Sequence, residues 1–255
     1  MTGSAKYGID APGLLRGHIV FGSVLAATAA TGFALPRPNP IPPSLSIGAA
    51  FVAGVLLFYA AVMLRSSLVG KKRVCDRLIA ALALSGNEQV LDAGCGGGLA
   101  LIGCAKKLTT GKAIGIDLWA AKDQSNNRPE ATLDNAATEG VANRVEVKTA
   151  DITRLPFADA SFDAVISMLV IHNVPSQKAR DDALRELVRV LKPGGRMVIF
   201  DLLHASRYTE VLRASGMEVQ ELSCDLLWLL PCRSLVAQKP AIFSSYVTPA
   251  RPASS

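Results

Sequence analysis

The chain has 255 residues, half of them apolar, 5% aromatic, with a formal net charge of +6; its mean hydropathy is +0.31. That length suffices for one well-buried domain plus an extra element. Residues 1–77 hold eight basic and two acidic residues, whereas 78–255 hold 19 of each sign, so the main part of the chain is neutral and a nucleic-acid-binding surface is not expected.

The first legible stretch is "YGIDAPG", Tyr7 to Gly13. Asp10 followed by Pro12 predicts a helix N-cap and an early-helix proline. Two uncharged segments come next, Gly17–Leu35 and Ile41–Leu64. The proline-rich run Pro36–Ser44 joins them, and neither helix nor strand tolerates such a run well. Their length predicts a transmembrane helical hairpin over 18–70. The small residues Gly22, Ala26, Ala29 and Ala30 of the first segment would let the second pack closely.

Two alternatives stand beside this reading: a cleaved signal peptide and a helical pair buried in a soluble fold. The signal peptide fits poorly, because the lead-in carries only Lys6 and Arg16 as basic residues and a second span follows. Arg65, Lys71, Lys72 and Arg73 come directly after the second span. The positive-inside rule then puts both ends in the cytoplasm and the proline loop outside. The same cluster would meet anionic lipid head groups. Only "RSSLVG" separates the span from "KKRVCDRLIAALAL", an expected helix with Val74, Leu78, Ile79 and Leu82 on one side.

"VLDAGCGGGLA", Val90 to Ala100, is an apolar run ending at Asp92, then a glycine cluster. "LALIGCAKKL" follows with apolar residues at helical spacing. Gly94, Gly96, Gly97 and Gly98 therefore occupy a strand-to-helix turn. Glycine there permits positive φ and close approach of a ligand to the main chain, and the following helix start offers unpaired N–H groups. The spacing is G-x-G-x-G rather than the dinucleotide pattern G-x-G-x-x-G. A second apolar strand, "KAIGID", ends at Asp117, placed to accept from ribose hydroxyls. An adenosine-bearing ligand is implied, and a dinucleotide remains open at this point.

The polar loop Ala120–Ala131 is long enough for a lid and otherwise reads as a solvated turn. A strand at Val145–Thr149, the pair Asp151-Ile152 and the strand "FDAVISM" follow, then His172 and Asn173 in "VIHNV". "ELVRVLKPGGRMVIFDLL" reads as a helix, a turn at Lys192–Gly195 and a strand at Arg196–Leu202, with His204 just beyond. "YTEVLRASG" is an expected helix. "MEVQELS" and "CRSLVAQKP" are expected as an antiparallel last pair, with the apolar "DLLWLLP" between them. The five cysteines, Cys75, Cys95, Cys104, Cys224 and Cys232, fit no zinc spacing, and their odd number argues for free thiols. No metal site is expected. The tail after Lys239, rich in Pro, Ser and Ala, is expected to be disordered.

From Val90 to Lys239 these blocks, in this order, resemble the class I S-adenosylmethionine-dependent methyltransferases. The nearest resemblance is to small-molecule members that include the quinone-methylating enzymes. It implies an α/β, Rossmann-like, seven-stranded sheet with helices on both faces, preceded by the hairpin. The implied division is a cytoplasmic segment 1–17, the hairpin 18–70, a methyltransferase domain 71–239 and a disordered tail 240–255.

The resemblance also implies S-adenosyl-L-methionine as cofactor. Gly94, Gly96 and Gly98 would lie against its methionine part, with Asp92 helping to hold the ammonium. Asp117 would bind the ribose and Leu118 would flank the adenine. Asp151 would accept from the adenine amino group, Ile152 would pack on the ring, and Met168 would line the methionine side. A turn cap is the lesser alternative for Asp151, whereas Ile152 and Met168 read equally as structural residues. His172 is the candidate general base, against a loop-fixing role, and His204 is a weaker one. Tyr7 would cover the cofactor sulfur, as an N-terminal tyrosine does in some members, if the N-terminus doubles back. The expected acceptor is a lipophilic small molecule or lipid head group taken from the membrane. Two rival functions are a tethered sensor that binds the cofactor without catalysis and a nicotinamide-dependent reductase.

Overall fold

The computed structural model describes residues 5–36, 38–120, 124–227 and 230–241. Seven strands form one sheet: β1 Gln89–Ala93, β2 Lys112–Asp117, β3 Val145–Thr149, β4 Phe162–Met168, β5 Leu191–Leu202, β6 Glu218–Leu227 and β7 Leu230–Gln238. Their order across the sheet is β3-β2-β1-β4-β5-β7-β6. The first five run parallel, and β7 is antiparallel to both β5 and β6. Strands covered on both faces carry continuous apolar runs rather than alternation: "VLDA" and "AVIS" are buried throughout.

Helices α3 Lys71–Leu82 and α4 Leu99–Ala105 pack on one face, and α6 Gln177–Val190 and α7 Ala205–Ala214 on the other. Helix α5 Pro129–Thr138 lies between β2 and β3 in the chain. Strand order reverses between β1 and β4, so a crevice opens at the carboxyl ends of those two strands. Open α/β sheets bind their ligands at such a switch point.

The hairpin is built from α1 Pro12–Ala34 and α2 Pro43–Arg65. Small residues make the contact. Gly22 faces Leu57, Gly32 faces Ser46 and Ile41, and Ala29, Ala49, Ala53 and Ala60 are buried. Ala30, expected in this seam, points outward. The outer surface carries Val20, Phe21, Ile47, Phe51 and Phe58, with Phe51 73% exposed. A helical pair at the centre of a soluble fold would have these side chains covered. Pro12–Ala34 and Pro43–Leu82 are each long and apolar enough to cross a membrane.

The structure departs from the sequence reading elsewhere too. Strand β5 starts at Leu191 and takes in the expected turn Lys192–Gly195. Helix α1 begins at Pro12 as expected, but its cap is Ala11, in the left-handed region at φ 45, with no side-chain cap. Asp10 is turned elsewhere. Nor is the segment after the second span a separate tether. Ser66–Gly70 is a single π-helical turn, and Pro43–Leu82 is one unbroken helix of 40 residues. Ser66 and Ser67 are buried in it. Leu226 and Leu227 of the apolar "DLLWLLP" end β6, and Leu230 starts β7. The expectation of disorder over 240–255 falls on 242–255, which lie outside the described residues.

Candidate active site

The glycine turn sits where β1 passes into α4. Gly94, Gly96 and Gly98 all have positive φ, at 87°, 49° and 84°, a region that favours glycine. The turn is pinned to β2, because Gly94 and Cys95 N–H both donate to the Ile116 carbonyl at 2.8 and 2.9 Å. A Cβ on Gly94 would stand 2.2 Å from Val170, and one on Gly98 would stand 2.8 Å from Thr132. Bare backbone is therefore required by packing as well as by φ.

Asp117, at the end of β2, holds the same turn. Its Oδ2 accepts from Gly96 N–H at 2.9 Å. Its Oδ1 accepts from Trp119 N–H at 2.6 Å and from the Asn127 amide at 3.2 Å. Asp92 lies beneath the turn, 1% exposed, and its Oδ2 has no hydrogen-bond partner. Burial pushes its carboxyl up to about 7, with the nearby Asp117 charge adding to the rise. A buried carboxyl oxygen without a donor is costly. A cationic donor arriving at the turn would satisfy it and favour its ionised form.

Several residues that the sequence reading missed complete the turn. From α5, the Thr132 hydroxyl donates to the Gly96 carbonyl at 2.6 Å, and the Asn135 amide to the Gly97 carbonyl at 2.9 Å. Gln124 Oε1 accepts from Gly97 N–H at 2.6 Å, and its amide donates to Asp10 at 3.3 Å. Thr132 and Asn135 share a helix face at i, i+3, which was the one available signal.

The N-terminus does double back. Ser125 N–H donates to the Ile9 carbonyl at 3.0 Å, Ile9 N–H to Ser125 Oγ at 2.8 Å, and Lys6 N–H to Asn135 at 2.8 Å. What lies over the turn is the main chain of Tyr7, 3.2 Å from where a Gly97 Cβ would be. The Tyr7 hydroxyl is engaged elsewhere, donating to Glu139 at 3.0 Å; burial and that carboxylate push the phenol up, so it stays protonated. Asp10, expected as a cap, is buried in an ion pair with Lys71 at 3.0 Å, and Ser67 donates to its other oxygen at 3.1 Å. Lys71 also donates to the Tyr7 and Gly8 carbonyls, both at 3.2 Å. The unbroken helix thus holds the strap that covers the glycine turn.

Around the crevice, Leu118 is exposed and Met168 half-buried. Ile152 is buried within the core on the α6–α7 face. Asp151 is exposed, and its Oδ1 accepts from both the N–H and the hydroxyl of Thr153 at 2.8 Å, capping its own turn. His172 follows β4, two residues after the Val170 that covers Gly94. Its Nδ1 meets Asp201 Oδ1 at 2.5 Å.

Asp201, at the end of β5, is 2% exposed. Its Oδ2 accepts from His172 N–H at 3.0 Å and Tyr208 hydroxyl at 3.3 Å, and its Oδ1 from Leu202 N–H at 2.9 Å. A carboxylate so held assigns the imidazole proton to Nδ1 and leaves Nε2 as an acceptor. The sequence signal for Asp201 was an acid inside the apolar run "MVIFDLL". His204 is exposed at the start of α7, and Asn173 is exposed. His18 Nδ1 donates to the Leu14 carbonyl at 2.8 Å within its own helix. Cys75, Cys95, Cys104 and Cys232 are buried and Cys224 exposed, all free.

Residues 91–199 match the model of a methyltransferase domain. The methyltransferase GfsG of Streptomyces halstedii is 34% identical over 143 residues, covering 56% of this chain and 48% of that protein. A demethylmenaquinone methyltransferase of Lactiplantibacillus plantarum is 34% identical over 124 residues, covering 48% of each. The chain spans about half the length of these curated relatives. The YcgJ protein of Bacillus subtilis has the same fold, with a TM-score of 0.57 at 17% identity over 65% of this chain and 97% of that one. Residues 91–199 therefore belong to the methyltransferase domain family, and the chain carries a class I S-adenosylmethionine-dependent methyltransferase domain. S-adenosylmethionine is its cofactor, which sets the nicotinamide reading aside. The residues present fit that group: a glycine cradle, a buried orphan carboxyl for its ammonium, and Asp117 at the strand end for its ribose.

Proposed function

We propose that the protein is a membrane-anchored methyltransferase whose acceptor is a lipophilic small molecule or lipid head group. The observation that carries this reading is the unbroken helix Pro43–Leu82. It joins an apolar, outward-facing hairpin to the strap over the glycine turn. Similarity to a demethylmenaquinone methyltransferase supports an apolar acceptor, and the basic residues flanking the hairpin support a cytoplasmic domain.

When bound, that cofactor would supply an electrophilic methyl group, its carbon taking the acceptor's lone pair in line as the carbon–sulfur bond breaks and the neutral thioether S-adenosylhomocysteine leaves. Gly94 to Gly98, Asp92 and Asp117 would hold it, while the Tyr7 main chain and Val170 would exclude water. His172 takes the acceptor's proton at Nε2, and Asp201 positions the ring and stabilises the imidazolium. Asp151 and Leu118 would border its adenine, with Ile152 beneath, and Met168 its methionine end.

The test is incubation of the full chain, reconstituted in lipid vesicles, with methyl-labelled cofactor and a native lipid extract. Label entering the organic phase supports the reading. Label confined to water-soluble products, at the same rate without vesicles, would refute the lipophilic acceptor. Cofactor binding with no transfer to any fraction would favour the sensor.

A further inference from the structure

We propose that the cleft between α3 and the end of β6 binds one anionic phospholipid from the leaflet where α2 leaves the bilayer. This rests on the membrane reading above and adds a site and a ligand class to it. The cleft has a volume of about 410 Å³ and is lined by Gly70, Arg73, Val74, Arg77, Asp225, Leu226 and Leu227.

Height along the helix places the cleft. Helix α2 has 23 residues, which at ~1.5 Å per residue is roughly 35 Å, enough for a hydrocarbon core of about 30 Å. Arg65 ends it. Gly70 lies about 8 Å further along the same helix, at the outer edge of a head-group layer about 5–8 Å deep, and Arg73 about 12 Å, a few ångströms beyond it, from where its long side chain reaches back to a phosphate.

Charge selects the ligand. Of the basic residues that follow the span, Lys71 is committed to Asp10 and to two carbonyls. The Lys72 ammonium lies over the Tyr7 ring, 5.5 Å from its centre. Arg77 is held by Asp225 at 2.6 Å. Arg73 makes no hydrogen bond or ion pair among the described residues, and it stands one helical turn before Arg77 on the same wall of the cleft. A phosphodiester between the two guanidiniums would neutralise Arg73 with charge-assisted hydrogen bonds.

Asp225 also lines the cleft, its charge offset by Arg77; the remaining lining is apolar. Leu227 lies at its inner side and Leu226 is 70% exposed at its rim. Leu68 and Val69 are exposed one turn nearer the bilayer. Free phosphate has no use for that surface, whereas the first methylenes of acyl chains do. The ligand is therefore a lipid phosphate rather than a soluble one.

The test uses the full chain in phosphatidylcholine nanodiscs with and without phosphatidylglycerol, then native mass spectrometry after gentle extraction. The expected result is one retained phosphatidylglycerol on the wild type. Arg73→Gln should lower that occupancy at least about fivefold, while Arg16→Gln, at the other span, leaves it unchanged. Arg73 is exposed and unpaired, so the variant keeps the fold, which circular dichroism checks. Equal retention of both lipids, or an Arg73→Gln variant that retains as the wild type does, overturns the proposal. Displacement by sn-glycerol 3-phosphate overturns the lipid source. A chain that stays out of the nanodisc overturns the membrane reading along with the site; one that enters but holds no phosphatidylglycerol overturns the site alone.

Discussion

Titrating cofactor binding against pH, in the wild type and in Asp92→Asn, tests the central contact of the site. Burial lifts the Asp92 carboxyl from an ordinary 3.8 to about 7. At about pH 6 it is then roughly nine-tenths protonated, and at about pH 8 roughly one-tenth. An ammonium beside Oδ2 favours the ionised form, so binding must expel the proton. S-adenosylhomocysteine carries the same amino-acid group and is a stable probe. Its affinity should rise about tenfold between about pH 6 and 8, with close to one proton released at the acid end. Calorimetry in buffers of different ionisation enthalpy counts that proton directly. Asp92→Asn should bind more weakly at about pH 8 and lose both the slope and the proton. A flat wild-type profile, or the same proton release from the variant, would show that Asp92 does not meet the ligand.

The same residue makes a stability prediction of definite sign. Its folded value is raised, so the stabilisation present at acid pH is lost as pH rises from about 4 through about 7. Ligand-free Asp92→Asn should therefore melt higher than the wild type at about pH 8, by up to ~4 kcal/mol, and the gap should close toward about pH 4. Asp10→Asn should cost about 3–5 kcal/mol, since it leaves Lys71 charged and buried; Asp10→Asn with Lys71→Met should recover part of this in a double-mutant cycle of thermal melts. His172→Ala should lower kcat by about 10²–10⁴ with cofactor Kd unchanged. Asp201→Asn should lower kcat with cofactor Kd unchanged, because the ring loses its fixed tautomer. Gly94→Ala should abolish cofactor binding, and Val170→Ala should not restore it fully, because the positive φ remains.

What could be read from the chain alone was local. The glycine turn, Asp117 nineteen residues beyond it and the parallel strands all declare themselves in short apolar runs punctuated by small or acidic residues. The hairpin declares itself by length without charge. What escaped was long-range pairing. Asp10 looked like a cap because Pro12 follows it, yet its partner Lys71 lies 61 residues away. Thr132 and Asn135 lie between the polar loop and the strand at Val145, in a stretch that carries no apolar run, although they are buried against the glycine turn. Asp201 lay hidden in an apolar strand, and only the sheet brings it to His172. "RSSLVG" looked like a linker because serine and glycine are weak helix formers. The strap and the π turn bury those serines and hold the segment helical.

That continuity makes the domain's bearing a matter of helical phase. Each residue in an α-helix advances about 100° and ~1.5 Å. Removing one residue from Ser66–Gly70 would swing the crevice through roughly a quarter-turn about the helix axis while barely changing its distance from the hairpin. Removing a full turn would nearly restore its azimuth but draw it about 5 Å toward the hairpin. On the proposed membrane-anchored reading, the count of residues between hairpin and sheet would work like the indexing of a gear, setting which side of the catalytic mouth meets the surface.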